Sequence, residues 1–490
     1  MARVNRGHRS RMGSAFVAIA LVLAVLPGTS WTAPTDPSLR SGEFALIQVA
    51  HGAAGAVAAK AAAVGATEVA SLDTLDMVTA RLSADALTAL RRDWRVSVIA
   101  ADATITAAGR RERFEKTNGR PSPGNEVIDA EAAWSRATGR GITVAVMDTG
   151  IADHPDLAGS IVGRVDFVHD GEKVADPSGH GTFVAGLIAA HGRNFKGVAP
   201  DAKLISLRVL DKDGKGTMHA VLAAFDWLLD NRKAMNIKVL NLSFGAPQRS
   251  SYHRELLAGV VESAWLAGMT VVAAAGNDGP KNGSVVMPGA DPFVITVGSL
   301  DDQGTVSQAD DRESIFSSRG PTRDGFAKPD LLAPGEHIVS LRVPGTALDH
   351  DVSGDLPAGS YALLTGTSAA TAMVTGAAAL LLEDHKAYTA TQVKGALVAS
   401  GRHVNATKTP ALDVDDSLNA RPARVNGGLP PSLVLLRVLA QSRDVLGPGI
   451  KWDGISWEGI SWEAISWEGV AWEAISWEGV TWDSVTWELR

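Results

Sequence analysis

Four short motifs, far apart in the chain, hold what hydrolysis of a peptide carbonyl needs at neutral pH: a nucleophile, a base to activate it, and donors for an oxyanion. Val144 to Gly150 (VAVMDTG) reads as a buried strand that ends in the carboxylate of Asp148 and a glycine turn. Gly179 to Thr182 (GHGT) sets His180 between two glycines and opens an apolar helical stretch, Phe183 to Ala190. Ala273 to Asn277 (AAAGN) is a strand whose end presents an amide. Gly366 to Ala372 (GTSAATA) puts Ser368 at the start of a small-residue helix running towards Leu382. The glycines let backbone and substrate approach closely. The end of a parallel strand points side chains into the crevice beyond the sheet. A serine at a helix N-terminus has backbone N–H groups nearby for a developing negative charge.

The elements that must position these groups alternate along residues 126–419. Thr143 to Met147, Lys203 to Val209, Val239 to Ser243, Thr270 to Ala274 and Val294 to Val297 are short apolar runs, as in strands covered on both faces. Helices fall between them, over Met218 to Asn231 and Tyr252 to Ala267. The pattern predicts one α/β domain with a parallel sheet and helices on both faces.

From Asn125 to Leu412 these motifs resemble the subtilase family, and within it most closely the bacterial alkaline serine proteases. The order Asp, His, Ser along the chain is that of subtilisin. The resemblance implies the subtilisin-like fold and a secreted serine endopeptidase working through an acyl-enzyme. It makes Ser368 the nucleophile, His180 the general base and then acid, and Asp148 the group that orients the imidazole. Asn277 and the backbone N–H of Ser368 become the oxyanion donors. By the same likeness, Ser243, Phe244 and Gly245 form one wall of the P1 pocket, and Ala275 and Gly276 the other. Gly214 and Gly216 lie on the edge to which an extended peptide adds as a strand. The wall motifs hold no acidic residue, implying an apolar P1 residue, and Val286 stands where the family often has glycine at the pocket floor, implying a shallow pocket. Core packing is the competing reading of Phe244.

Three departures from the family pattern stand out. Phe183 replaces a second histidine, and Ala372 replaces a proline after the nucleophile. Neither position supplies a catalytic group. The stretch from His180 to Pro200 is short where many relatives carry a calcium loop, so no metal ligand is assigned and calcium is the one cofactor left open. Asp330, in the family-like run Lys328 to Gly335, is expected to be structural. An insertion, Gly345 to Ser360, is expected as a surface loop beside the leaving-group side.

The remaining segments suggest export and processing. Arg3, Arg6, Arg9 and Arg11 precede a 12-residue apolar run, Ala15 to Leu26. That run suits a signal peptide, residues 1–31, and is shorter than the ~20 residues of a membrane-spanning helix; an uncleaved anchor is the alternative. Residues 42–104 read as β-α-β-α-β and resemble the family's inhibitory propeptide, a small ferredoxin-like α+β module; a retained domain is the alternative. Residues 105–125 read as an exposed linker with the processing site, and 420–450 as a second linker rich in Pro and Gly. Residues 451–490 repeat every five positions, with Trp at 452, 457, 462, 467, 472, 477, 482 and 487, each followed by an acid.

A period of five fits neither helix nor strand. The repeat suggests either a coiled β-solenoid or a segment that orders on a partner such as cell envelope or glycan. The net charge of −8 gives no basic footprint for nucleic acid. The absence of cysteine excludes disulfides and thiol chemistry. Protein or peptide substrates and the chain's own propeptide are the expected partners. The competing reading of function is an inactive subtilase scaffold that binds surfaces through its tail.

Overall fold

The computed structural model describes residues 32–110, 122, 124–349 and 360–432. The expected signal peptide, most of the linker, the middle of the 345–360 insertion and the tryptophan repeat lie outside the described residues.

The first module runs β1 (Phe44–Val49), α1 (Ala54–Ala63), β2 (Thr67–Leu72), β3 (Met77–Arg81), α2 (Ala84–Arg91), β4 (Val96–Ala101). The strands form an antiparallel sheet in the order β2-β3-β1-β4. Strand alternation divides its two faces. Ala45, Ile47 and Val49 of β1 face a core with Val57 and Ala61 of α1 and Leu90 of α2. Leu46, Leu72, Leu75 and Met77 join the core of the second domain instead. The sheet is therefore covered by its own helices on one side and by the larger domain on the other.

Strand β2 is missing from the sequence-based reading. Thr67–Leu72 is an edge strand with little burial, so it lacks the apolar run that marked the others. The module also begins earlier than residue 42, because Ala33 and Leu39 are buried in its core and Thr35 bridges to Ile99.

Two short strands, β5 (Thr104–Ala107) and β6 (Gly109–Arg110), lead out of this module. The larger domain follows with α3 (Ala130–Ala133), β7 (Thr143–Asp148), β8 (Ile161–Asp166), α4 (His180–Ala189), β9 (Lys203–Arg208), β10 (Lys215–Thr217), α5 (Met218–Asn231), β11 (Ile237–Leu242), β12 (Phe244–Gly245) and α6 (Leu256–Leu266). After these come β13 (Thr270–Ala274), β14 (Ile295–Asp301), β15 (Arg312–Glu313), β16 (Leu331–Pro334), β17 (Ile338–Leu341), β18 (Tyr361–Gly366), α7 (Thr367–Asp384), α8 (Ala390–Ser400) and α9 (Val414–Asn419). Strands β8-β9-β7-β11-β13-β14-β16 are parallel, with β15 antiparallel on β14. Helix α4 packs against α7, and α5 against α6, covering the sheet on its two faces.

Chain order reverses around β7, whose neighbours are β9 and β11. The crevice beyond the carboxyl ends of β7, β11 and β13 is therefore where such a sheet binds ligands. Helix α7 reaches it through the core. Its alanines and Gly376 allow close packing: a Cβ on Gly376 would lie 2.6 Å from that of Val198.

Two boundaries differ from the sequence-based expectation. The linker does not start at 105, because β5 and β6 both pair with the larger domain. Nor does the catalytic domain stop at 419. Residues up to Ser432 pack on it, where Tyr252 donates to the Pro430 carbonyl at 2.6 Å and Ser432 N donates to buried Glu262 at 2.8 Å.

Candidate active site

The four motifs meet at that crevice. Asp148 is the last residue of β7 and is fully enclosed. Its Oδ1 lies 2.7 Å from His180 Nδ1 and accepts the backbone N–H of Thr149 at 2.7 Å. His180 opens α4, held there by a Gly179 in the left-handed region (φ 88°). Ser368 is the second residue of α7. His180, Ser368, Ala107, Gly214 and Leu348 line one cavity.

Ser368 Oγ donates to the carbonyl of Ser243 at 3.3 Å, while His180 Nε2 is enclosed without a hydrogen-bond partner among the described residues. Nucleophile and base thus share a cleft with the hydroxyl turned aside, a looseness common in resting sites. Burial pulls the imidazole of His180 down, but the charge and hydrogen bond of Asp148, with the charge of Asp176 behind, outweigh it and leave the group raised.

Asn277 follows β13. Its Oδ1 accepts both the N–H and the hydroxyl of Thr367, each at 3.0 Å. Two donors on the oxygen fix the amide's orientation and leave Nδ2 free to donate. Beneath the nucleophile, Asn241 bridges Thr375 Oγ1 (2.9 Å) and Ser243 Oγ (3.0 Å), joining β11 to α7.

The expected peptide edge and P1 walls are already engaged by the chain itself. Strand β5 lies between β10 and β12, antiparallel to both, with Ile105 opposite Gly216 and Thr106 opposite Gly245. Ala107 N donates to the Gly214 carbonyl at 2.7 Å, and Ala108 N to the Ser243 carbonyl at 2.9 Å. Directly after, Gly109 pairs with Gly366 and Arg110 with Thr365. The peptide bond between Ala108 and Gly109 is thus bracketed by Ser243 on one side and the residues before Ser368 on the other.

Val286 separates the two walls. A Cβ on Gly245 would lie 2.4 Å from its Cγ2, and one on Gly276 3.1 Å from it. Gly276 has φ 103°, so a side chain there would also be strained. Ala275 and Ser243 are fully buried behind the surface. The Phe244 ring is fully buried in the main core cluster, which also holds Ile105 of the strand in the cleft, and its backbone pairs with Ala107.

Asp330 lies 2.6 Å from Lys328 Nζ and 3.2 Å from Lys394 Nζ in a buried ion cluster, a structural setting. Phe183 is buried and lines the triad cavity, and Ala372 is buried inside α7. Residues 345–349 of the insertion return over His180, with Leu348 N donating to the Ser178 carbonyl at 2.9 Å.

Residues 139–419 match the model of the Subtilase family. The chain belongs to the subtilase family. It is 41% identical over 266 residues to serine protease AprX of Bacillus subtilis, covering 52% of this chain and 60% of that protein. It is 33% identical over 338 residues to an alkaline protease of Alkalihalobacillus alcalophilus, covering 68% and 76%. Fervidolysin from Fervidobacterium pennivorans, a keratinolytic enzyme related to subtilisin, has the same fold, with a TM-score of 0.62 at 24% identity over 82% of this chain and 64% of that one. The chain thus spans about three fifths of AprX and of fervidolysin. The catalytic domain is that of a subtilisin-like serine peptidase.

Two features of this subtilase site escaped the sequence. Asp176, buried four residues before His180, accepts hydrogen bonds from both sides of the histidine. His219, the second residue of α5, lies 2.7 Å from Asp102 and stacks on Phe44 at 4.1 Å between ring centres. The run Asp176-Pro177-Ser178-Gly179 carried a turn signal that would have flagged the first. The second joins residues 117 positions apart, which no local pattern marks.

Proposed function

We propose that the chain is a secreted serine endopeptidase made as a precursor, in which residues 32–108 are an inhibitory propeptide that Ser368 cuts off at Ala108–Gly109. The observation that carries this reading is the backbone of residues 104–110, hydrogen-bonded through the cleft as an extended peptide substrate would be. In the proposed mechanism, rotation about the Ser368 Cα–Cβ bond turns Oγ from the Ser243 carbonyl to His180 Nε2. His180 takes the proton as Oγ attacks the Ala108 carbonyl carbon, and Asp148 stabilises the imidazolium. Asn277 Nδ2 and the Ser368 N–H receive the oxyanion. His180 then protonates the amine of Gly109, and water releases the acyl group by the reverse route.

Small apolar P1 residues fit this site, because Val286 fills the floor and Ala108 is the residue presented. Intact mass of the released N-terminal fragment tests the assignment. A fragment ending at Ala108 is expected; fragments that all end beyond Arg110 contradict it. For residues 451–490, regularly spaced tryptophans beside acids support attachment to cell envelope or glycan.

The propeptide interface gives a pH prediction. Asp226 of α5 accepts the backbone N–H groups of Thr74 and Leu75 at 2.8 and 3.1 Å. Burial under that loop pushes its carboxyl up to about 6. Removal of that loop would open the carboxylate to water, and its value should then fall back towards the ordinary 3.8. Binding therefore takes up a proton; the gain is complete below the free value and is lost as pH rises through about 6. Titrating mature enzyme with isolated propeptide should show affinity about tenfold higher at pH ~5 than at pH ~7.5. Asp226→Asn should flatten that difference relative to wild type.

A further inference from the structure

The segments that carry Asp148 and His180 are joined by a second carboxylate, which the mechanism above does not use. Asp176 is fully enclosed and receives five hydrogen bonds. Oδ1 accepts Thr149 Oγ1 at 2.8 Å, Gly179 N at 2.8 Å and Ser178 N at 3.2 Å. Oδ2 accepts Thr182 N at 2.7 Å and Thr182 Oγ1 at 2.6 Å.

The direction of the two hydroxyl bonds is set by their other partners. Thr149 Oγ1 accepts the N–H of Gly181 at 2.9 Å, and Thr182 Oγ1 accepts that of Ala152 at 2.8 Å. Each hydroxyl therefore directs its own hydrogen at Asp176. The other three neighbours are backbone N–H groups, which cannot accept. A carboxylic hydrogen on Asp176 would compete with these five donors, so the shell favours the anion. Burial pushes its carboxyl up and outweighs the hydrogen bonds that oppose it, leaving the group raised.

The bonds tie two segments that must stay in register. Thr149 and Ala152 follow Asp148; Gly179, Gly181 and Thr182 flank His180. The backbones are in direct contact: a Cβ on Gly150 would lie 1.9 Å from the Ala175 carbonyl, and one on Gly181 2.0 Å from the Gly150 carbonyl. The Thr149 and Thr182 hydroxyls cross directly between them, and the Asp176 carboxylate binds both hydroxyls and the backbone around His180 at once. Asp148 and His180 are the titratable side chains on the segments it ties.

We propose that Asp176 is a positioning residue for this reaction: it fixes the Asp148–His180 pair and sets a second negative charge behind the imidazolium that forms during catalysis. The proposal rests on the triad assignment, so wild type must first turn over peptide in the same assay; an inactive wild type fails the triad, not Asp176. Asp176→Asn keeps the shape but aims an NH2 group at donors. A misplaced catalytic group typically costs up to about 100-fold, so kcat should fall about 10- to 100-fold with KM little changed. The acid limb of the kcat/KM profile should also move to lower pH, by roughly half a unit, because the imidazolium loses a favourable charge.

A folded D176N enzyme with wild-type kcat, or one whose activity falls while the acid limb stays in place, overturns the proposal. Should D176N fail to fold, Thr149→Val reads the same link. There kcat should fall, and Thr149→Ser, which keeps the hydroxyl, should restore it. A T149V enzyme with wild-type kcat also overturns the proposal.

Discussion

Ser368→Ala is expected to abolish peptide hydrolysis and to leave the chain uncut at Ala108–Gly109. The fall in kcat should be on the order of 10⁶, the scale on which subtilisin responds to loss of its own nucleophile. The structural reason is that one hydroxyl serves both reactions. Ser368 opens α7 beside Gly366, which pairs with Gly109, while Ala108 is held by the Ser243 carbonyl 2.9 Å away. Removing Oγ takes away the nucleophile and leaves this backbone pairing untouched. The variant should therefore accumulate as full precursor, visible as a single band, with residues 104–110 protected from added protease. Normal processing in Ser368→Ala would mean that another protease cuts the chain, and that the strand in the cleft has no catalytic meaning.

Asn277→Ala carries the second largest effect. Its Oδ1 is occupied by Thr367, so the amide cannot flip, and Nδ2 is the side-chain donor left for the oxyanion. Alanine removes that donor at the moment charge develops, and it also leaves the Thr367 hydroxyl without its acceptor. Loss of one such donor lowers kcat about 10²- to 10³-fold, again a subtilisin magnitude. KM for a short peptide should change little, because the ground-state carbonyl does not depend on the contact. Steady-state kinetics on mature enzyme checks this split. Slow maturation of the variant precursor is the accompanying expectation. A matched rise in KM with unchanged kcat would move Asn277 from transition-state stabilisation to substrate binding.

Much of this was legible in the sequence because the decisive signals are local. Strand β13 and helix α5 appear at the positions their apolar runs predict, Thr270–Ala274 and Met218–Asn231. Asp148, His180, Asn277 and Ser368 each carry a glycine or small-residue context that survives in isolation. The failures share one cause, a dependence on distant partners. Thr104–Ala107 looks like linker because its pairing partners, Lys215–Thr217 and Phe244–Gly245, are more than a hundred residues away. Ser432 looks like the edge of a Pro/Gly segment, yet its N–H and hydroxyl both meet Glu262, 170 residues earlier.

Phe244 shows the limit of a local motif: side-chain direction along a two-residue strand could not be read from sequence, and in the structure the ring is fully buried. Asp176 was hidden for a further reason. Its short polar turn carried a turn signal but nothing to mark the acid as buried, and its five donors come from two segments.

Reaction of the processed enzyme with a fluorophosphonate, followed by mass mapping of the adduct, tests the central geometry most directly. A single adduct on Ser368, lost in His180→Ala, is the outcome this arrangement of imidazole, carboxylate and hydroxyl predicts. An unlabelled processed enzyme, or an adduct on some other residue that persists in Ser368→Ala, would contradict it.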